Sequence, residues 1–189
     1  YEAPSGTDRG LAYGNGSLWY SDANQQAFSG QILELNPTTG EIRSRINGLG
    51  YDPYGLAYGD GALWATQVTG IPDQIEQYSP DGSELGGSSI EGPIGDAGTG
   101  PSGVAYFNGS IWIGTGTVRS EFGTNGNLKE TVRERSSGSG FKALAGSPTA
   151  LYGPDSSGDL SVLASTQISA SVTLSNQSRP DGSSTVTIE

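Results

Sequence analysis

One ten-residue phrase recurs three times and constrains the fold more than any other feature. It reads Gly-Leu-Ala-Tyr-Gly-Asn-Gly-Ser-Leu-Trp at 10–19 and Gly-Leu-Ala-Tyr-Gly-Asp-Gly-Ala-Leu-Trp at 55–64. It returns as Gly-Val-Ala-Tyr-Phe-Asn-Gly-Ser-Ile-Trp at 103–112, and a worn copy follows at Ala150-Leu151-Tyr152-Gly153. The first apolar residues are Leu11, Leu56, Val104 and Leu151, giving steps of 45, 48 and 47 residues. Self-similarity at this period marks a stacked or radial repeat. A repeat of this kind supplies a scaffold, and activity resides in whatever its loops carry.

Each copy divides into short strands separated by turn signals. In the first, strands are expected over 11–13, 17–20, 31–35 and 41–46. The tight turn Gly14-Asn15-Gly16 joins the first two, and Asn36-Pro37-Thr38-Thr39-Gly40 joins the last two. The second copy has 56–58, 62–65, 74–78 and 84–90; the third has 104–107, 110–113, 118–122 and 128–132. In the fourth the pattern places strands at 149–152, 160–164, 168–174 and 184–188, with Ser161 near the position of the tryptophan. Four antiparallel strands per 46 residues or so is the size of a β-propeller blade. The expected fold is therefore all-β, one domain over 1–189, with four four-stranded blades at about 10–47, 55–90, 103–135 and 148–189. Trp19, Trp64 and Trp112 are expected to pack between neighbouring blades, where an indole buries a large apolar area and sets the spacing. Tyr13, Tyr58 and Tyr106 are expected to pack near the inner strands.

The blade phrase resembles the NHL-repeat and YVTN-repeat propellers and is similar to the blade signature of the virginiamycin B lyase family. Pro53-Tyr54-Gly55-Leu56-Ala57 with Leu63-Trp64 carries the likeness, as does Pro101-Ser102-Gly103-Val104-Ala105 with Ile111-Trp112. It covers about the first 135 residues well and the last 50 poorly. The resemblance implies a propeller. The lyase mechanism is understood to need histidine, and this sequence has none.

Composition narrows the chemistry. The chain has 189 residues, no Cys, no Met and no His. That removes disulfides, thiol nucleophiles, the commonest general base and the commonest metal ligands. A serine nucleophile lacks both a histidine partner and a Gly-x-Ser-x-Gly elbow. The glycine-rich stretches lead into strands, unlike phosphate-binding loops, which open helices. A net charge of −11 repels nucleic acid and anionic lipid. No apolar run approaches ~20 residues, so membrane insertion is not expected. Glycine is abundant at 31 residues, but the apolar residues fall in strand-sized blocks and point to folding, not disorder.

Three Asn-x-Ser sequons, at Asn15, Asn108 and Asn176, are glycosylation candidates. The first two occupy the same repeat position, where Asn-Gly is also the preferred type I′ hairpin turn. A first residue of Tyr1 fits a processed, secreted, extracellular or cell-surface protein.

Propeller ligands bind among the loops at one end of the central tunnel. Those loops hold Asp22, Asp52, Asp73, Glu91 and Asp96. Asp22, Asp52, Asp73 and Asp96 are weak Ca²⁺ candidates, because carboxylates suit that ion but no tight calcium-loop spacing is present. Solvated loop acids are the plainer reading. Tyr20, Phe28, Tyr51, Tyr54 and Phe141 are an equally open choice between loop packing and a platform for a glycan or peptide.

Closure is the remaining question. The repeats begin at an inner strand and end at an outer one, so no strand exchange that would close the ring is evident in the sequence. The chain is expected to form a small closed ring, half of a larger ring completed by a second copy, or an open arc. Exposed strand edges invite pairing with other chains, and 168–174 and 184–188 suit it. The function expected is a secreted, non-catalytic, structural, self-assembling or adhesive subunit, forming a homo-oligomer or polymer. The alternatives are a propeller lyase or metal-dependent hydrolase with its site at the tunnel mouth, and a glycan- or peptide-recognition propeller.

Overall fold

The computed structural model describes residues 7–23, 30–49, 53–67, 74–85, 90–91, 103–116, 118–133, 143–154 and 159–165. Fifteen strands make up the regular structure of these residues, with no helix among them. Sheet 1 contains β1 (Thr7–Gly14), β2 (Ser17–Ala23), β3 (Gln31–Leu35) and β4 (Ile42–Ile46). Sheet 2 contains β5 (Pro53–Gly59), β6 (Ala62–Gln67), β7 (Gln74–Tyr78) and β8 (Ile90–Glu91). Sheet 3 contains β9 (Gly103–Phe107), β10 (Ser110–Thr115), β11 (Val118–Gly123) and β12 (Leu128–Arg133). Sheet 4 contains β13 (Ala145–Gly146), β14 (Ala150–Pro154) and β15 (Leu160–Ser165). Every sheet runs in chain order with antiparallel neighbours.

The first hairpin of sheets 1 to 3 is set by its turn. Asn15, Asp60 and Asn108 have φ of 53°, 53° and 51°, and each is followed by a glycine at positive φ. Two consecutive left-handed residues make the type I′ turn, whose twist matches that of the flanking strands. The resulting register pairs Ala12 with Trp19, Ala57 with Trp64 and Ala105 with Trp112. A small alanine thus stands beside each indole.

The apolar core lies between sheets, in three seams. Ala12, Trp19, Ile32 and Ile46 of sheet 1 meet Leu56, Leu63, Ala65 and Tyr78 of sheet 2. Ala57, Trp64 and Ile75 of sheet 2 meet Val104, Ile111, Ile113 and Phe122 of sheet 3. Ala105, Phe107 and Trp112 of sheet 3 meet Leu151, with Leu144 and Leu163 alongside. The inner strands follow the same sequence, β1 packing on β5, β5 on β9 and β9 on β13. Alternation along each strand thus gives every sheet a front face toward the preceding sheet and a back face toward the next. All three tryptophans lie buried on back faces.

Sheet 4 departs from the sequence expectation. The sequence pattern places its first strand at 149–152, but the inner strand is β13, and β14 takes the second place. Ser147 donates its amide to the Ala150 carbonyl at 2.8 Å, closing a hairpin one element earlier in the chain. In that register Ala145 pairs with Tyr152, so Tyr152, rather than Ser161, stands where the other sheets carry tryptophan. Residues 160–165 form the third strand. The strands expected at 168–174 and 184–188 lie outside the described residues. In sheet 2 the expected fourth strand, 84–90, is represented by a single Tyr78–Glu84 bridge and by β8.

Candidate functional site

The inner strands enclose a cleft of about 750 Å³, reaching from Leu11 and Tyr13 of β1 past Tyr58 and Tyr106 to 144–148. The volume lies within the usual range for small-ligand sites. Its wall is built by one repeated contact. The Tyr58 ring sits on Gly14, where an added Cβ would lie 2.0 Å from the ring, and Tyr106 sits on Gly59, where the distance would be 1.9 Å. Only glycine permits that approach. At the third seam the sizes are exchanged: Phe107 stands at the Gly14 and Gly59 position. Opposite it is Gly146, whose added Cβ would lie 1.9 Å from the Tyr106 carbonyl oxygen. Burial pushes the Tyr106 phenol above its ordinary range, with the Asp60 charge adding to the shift. Tyr13 differs from its counterparts. It is 67 % exposed, and Leu11 beside it is 61 % exposed, whereas the equivalent Leu56 and Val104 are buried.

Beside the first hairpin turns, polar side chains of two sheets form matching clamps. Ser17 donates to Glu34 at 2.6 Å and accepts from Arg43 at 2.7 Å. In sheet 3 Ser110 donates to Glu121 at 2.6 Å and accepts from Lys129 at 2.6 Å. Lys129 also pairs with Glu121 at 3.4 Å. The Ser17 hydrogen bond outweighs partial burial and holds the Glu34 carboxyl below its ordinary range, assisted by Ser44 and the Arg43 charge. Sheet 2 replaces both partners together, with Ala62 and Gln77 at the corresponding positions. These serines are the third residues of the Asn15 and Asn108 sequons. Both asparagines are exposed on their turns, while both serine side chains are buried in the clamps. Asn176 lies outside the described residues.

The far ends of the second strands carry polar residues at one register position: Asp22, Gln67 and Thr115, all buried. Gln31 donates to the Asp22 carboxylate at 2.7 Å, and Arg45 donates to Gln31 at 3.1 Å. Gln67 donates to Glu76 at 2.7 Å and to the Tyr78 hydroxyl at 2.8 Å; Tyr78 in turn donates to Glu76 in a short bond. Burial and the adjacent Glu76 push the Tyr78 phenol far upward, so it serves as a hydrogen-bond donor through the physiological range. The Gln67 Oε1 and Thr115 Oγ1 atoms lack partners among the described residues. Next to this end, Ser21 and Thr66 accept the amides of Gly10 and Gly55 at 2.6 and 2.7 Å, satisfying donors where the first pairs of strands are bulged.

Of the four calcium candidates, Asp22 is the one described, and its carboxylate is engaged by Gln31. Asp52, Asp73 and Asp96 lie outside the described residues. No group of three or more metal-type ligands occurs among the described residues. Tyr20 and Tyr54 are half-buried; Phe28, Tyr51 and Phe141 lie outside the description. Sequence reasoning did not anticipate the Gln67–Glu76–Tyr78 cluster, because its members are dispersed residues whose common signal is strand alternation. The Ser–Glu–cation clamps had a readable signal: Ser17 and Ser110 recur at the same repeat position.

No protein-family model matches the chain, and no curated protein matches it. Solved structures do. The computationally designed protein Ika4 is similar at a TM-score of 0.57 and 16 % identity, covering 85 % of this chain and 92 % of its own. Glutaminyl cyclase from Myxococcus xanthus gives 0.60 at 17 % identity, over 78 % of this chain and 61 % of its own. The computationally designed protein Ika8 gives 0.55 at 15 % identity, over 85 % of this chain and 46 % of its own. The chain therefore spans nearly all of Ika4 but about half of Ika8. With its four antiparallel sheets packed face to face, this chain shares the β-propeller-like fold of those structures.

Proposed function

We propose that this protein is a structural, self-associating subunit of an extracellular assembly, built as a four-bladed propeller arc that a neighbouring molecule completes. One observation carries the reading. The front face of sheet 1 exposes Leu11 and Tyr13, whose counterparts in sheets 2 and 3 are packed beneath the preceding sheet. Large exposed apolar groups placed where an internal seam would otherwise form mark an association surface. The acidic balance of the chain favours solubility of such a subunit before it assembles. Secretion and glycosylation belong to the same proposal and rest on the sequons, with Asn15 and Asn108 on exposed turns.

Electron microscopy of the native protein over a concentration series tests the proposal. Rings or longer assemblies of several subunits are the expected particles; single-subunit particles at every concentration would overturn it. The cleft favours a second reading, a recognition propeller for glycans or peptides, because three tyrosines at one register position line a volume of ligand size. Saturable binding on a glycan or peptide array, lost on Tyr106→Ala, is the expected result for that reading, and an array without hits contradicts it.

A further inference from the structure

Building on the self-association just proposed, we infer that two copies join head to tail, the back face of sheet 4 in one receiving the front face of sheet 1 in the other. The partner is a second copy of this chain, and the contact is a fourth instance of the seam that the chain makes three times within itself.

The two faces are complementary halves. In two of the three internal seams a front-face tyrosine rests on a glycine at the end of the preceding inner strand, Tyr58 on Gly14 and Tyr106 on Gly59. Tyr13 is the front-face tyrosine left in the open. The residue of sheet 4 in register with Gly14 is Ser147: Gly14 pairs with Ser17 across its hairpin as Ser147 faces Ala150 across its own. Its Cβ rules out the depth at which Tyr58 and Tyr106 rest on glycine, so at this fourth seam the ring sits further from the inner strand. The back face of sheet 4 has further residues to cover. Tyr152 holds the tryptophan position there, and Leu160 and Val162, in register with Pro154 and Tyr152, are 80 % and 58 % exposed.

Among the described residues each inner strand packs on the next, from β1 through β13, but no comparable packing joins β13 back to β1; both line the open cleft instead. A head-to-tail contact either closes into a ring or runs on as a filament, depending on the rotation per subunit. Most of this chain superposes on 46 % of Ika8, leaving room for one further copy of similar size. Two copies then satisfy both seams around a twofold axis. This geometry differs from hydrogen-bonded pairing of strand edges, because the contact is made through sheet faces.

Engineered disulfides test the arrangement in a chain that has no native cysteine. Tyr13→Cys and Ser147→Cys are made as separate variants, mixed, and oxidised, and the products are read by mass under non-reducing conditions. The expected result is a covalent dimer from the mixture and none from either variant alone. Disulfide dimers of Tyr13→Cys with itself would show a like-to-like interface and overturn the inference. In the double variant, an internal disulfide in a single chain would mean that the ring closes alone, and would overturn it too. The native mass of the untouched protein separates the two claims. Oligomers without Tyr13–Ser147 cross-linking refute the head-to-tail seam and leave self-association standing, whereas a monomer refutes both.

Discussion

The smallest unit of this fold is a glycine under a ring. Gly14 and Gly59 look in sequence like ordinary turn-flanking residues, and the phrase around them reads as a hairpin signal. Their second role, seating Tyr58 and Tyr106 of the following sheet, was not legible because it depends on a residue more than forty positions away. Gly14→Ala is expected to destabilise the fold by about 1–3 kcal/mol, since the added methyl overpacks a filled seam. Chemical denaturation checks this, and a double-mutant cycle with Tyr58→Ala should show strong coupling between the two. An unchanged midpoint would mean that the ring is not held there. A second residue-scale expectation concerns acid. Glu34 titrates below its ordinary range in the folded state, chiefly through the Ser17 hydroxyl. Its stabilising contribution is therefore present above the unfolded carboxyl pKa and lost as pH falls through the lower folded value. Ser17→Ala should raise the Glu34 pKa toward the ordinary value in an NMR titration; no movement would show that Ser17 does not hold the carboxylate.

Strands and turns were the most legible level. Asn15-Gly16, Asp60-Gly61 and Asn108-Gly109 announce type I′ turns, and positive φ at all six residues agrees with the hairpins built on them. Asn15→Val should cost about 1–2 kcal/mol, because a β-branched residue resists the left-handed region, while Asn15→Gly should be close to neutral. Equilibrium unfolding of the two variants gives the comparison, and equal losses would place the cost in the asparagine side chain, not in the backbone. The fourth repeat was misread for a physical reason. Its inner strand, Ala145–Gly146, is two residues long and lacks the Leu-Ala-Tyr pattern, since Gly146 faces Phe107 with the small and large roles exchanged. The worn phrase at 150–153 therefore signals an inner strand where the second strand lies, and Tyr152 takes the tryptophan position without a sequence signal of its own. The Asn15 and Asn108 sequons show a related ambiguity. The turn uses each asparagine and the buried clamp each serine, so the spacing that makes a sequon also serves two structural needs.

At the scale of the whole molecule, the period of the repeat made the all-β, propeller-like architecture readable, but the way its ends are satisfied was not. Alternating strands specify that each sheet has two apolar faces. They do not specify whether the first and last faces meet each other or meet another molecule, because that depends on the accumulated rotation between sheets. The exposed Leu11 and Tyr13 at one end and Leu160 and Val162 at the other give the physical form of the problem. Covering them is worth roughly 25 cal/mol for each Å² of apolar surface removed from water, set against the cost of association. Tyr13→Asp places a charge in the proposed seam and should separate the subunits without altering the three internal seams. Sedimentation equilibrium is the most direct measurement. The parent chain is predicted to sediment at twice its 19.4 kDa or a higher multiple and the Tyr13→Asp variant at that single-chain mass, whereas a parent that stays at the single-chain mass across the accessible concentration range would contradict the account.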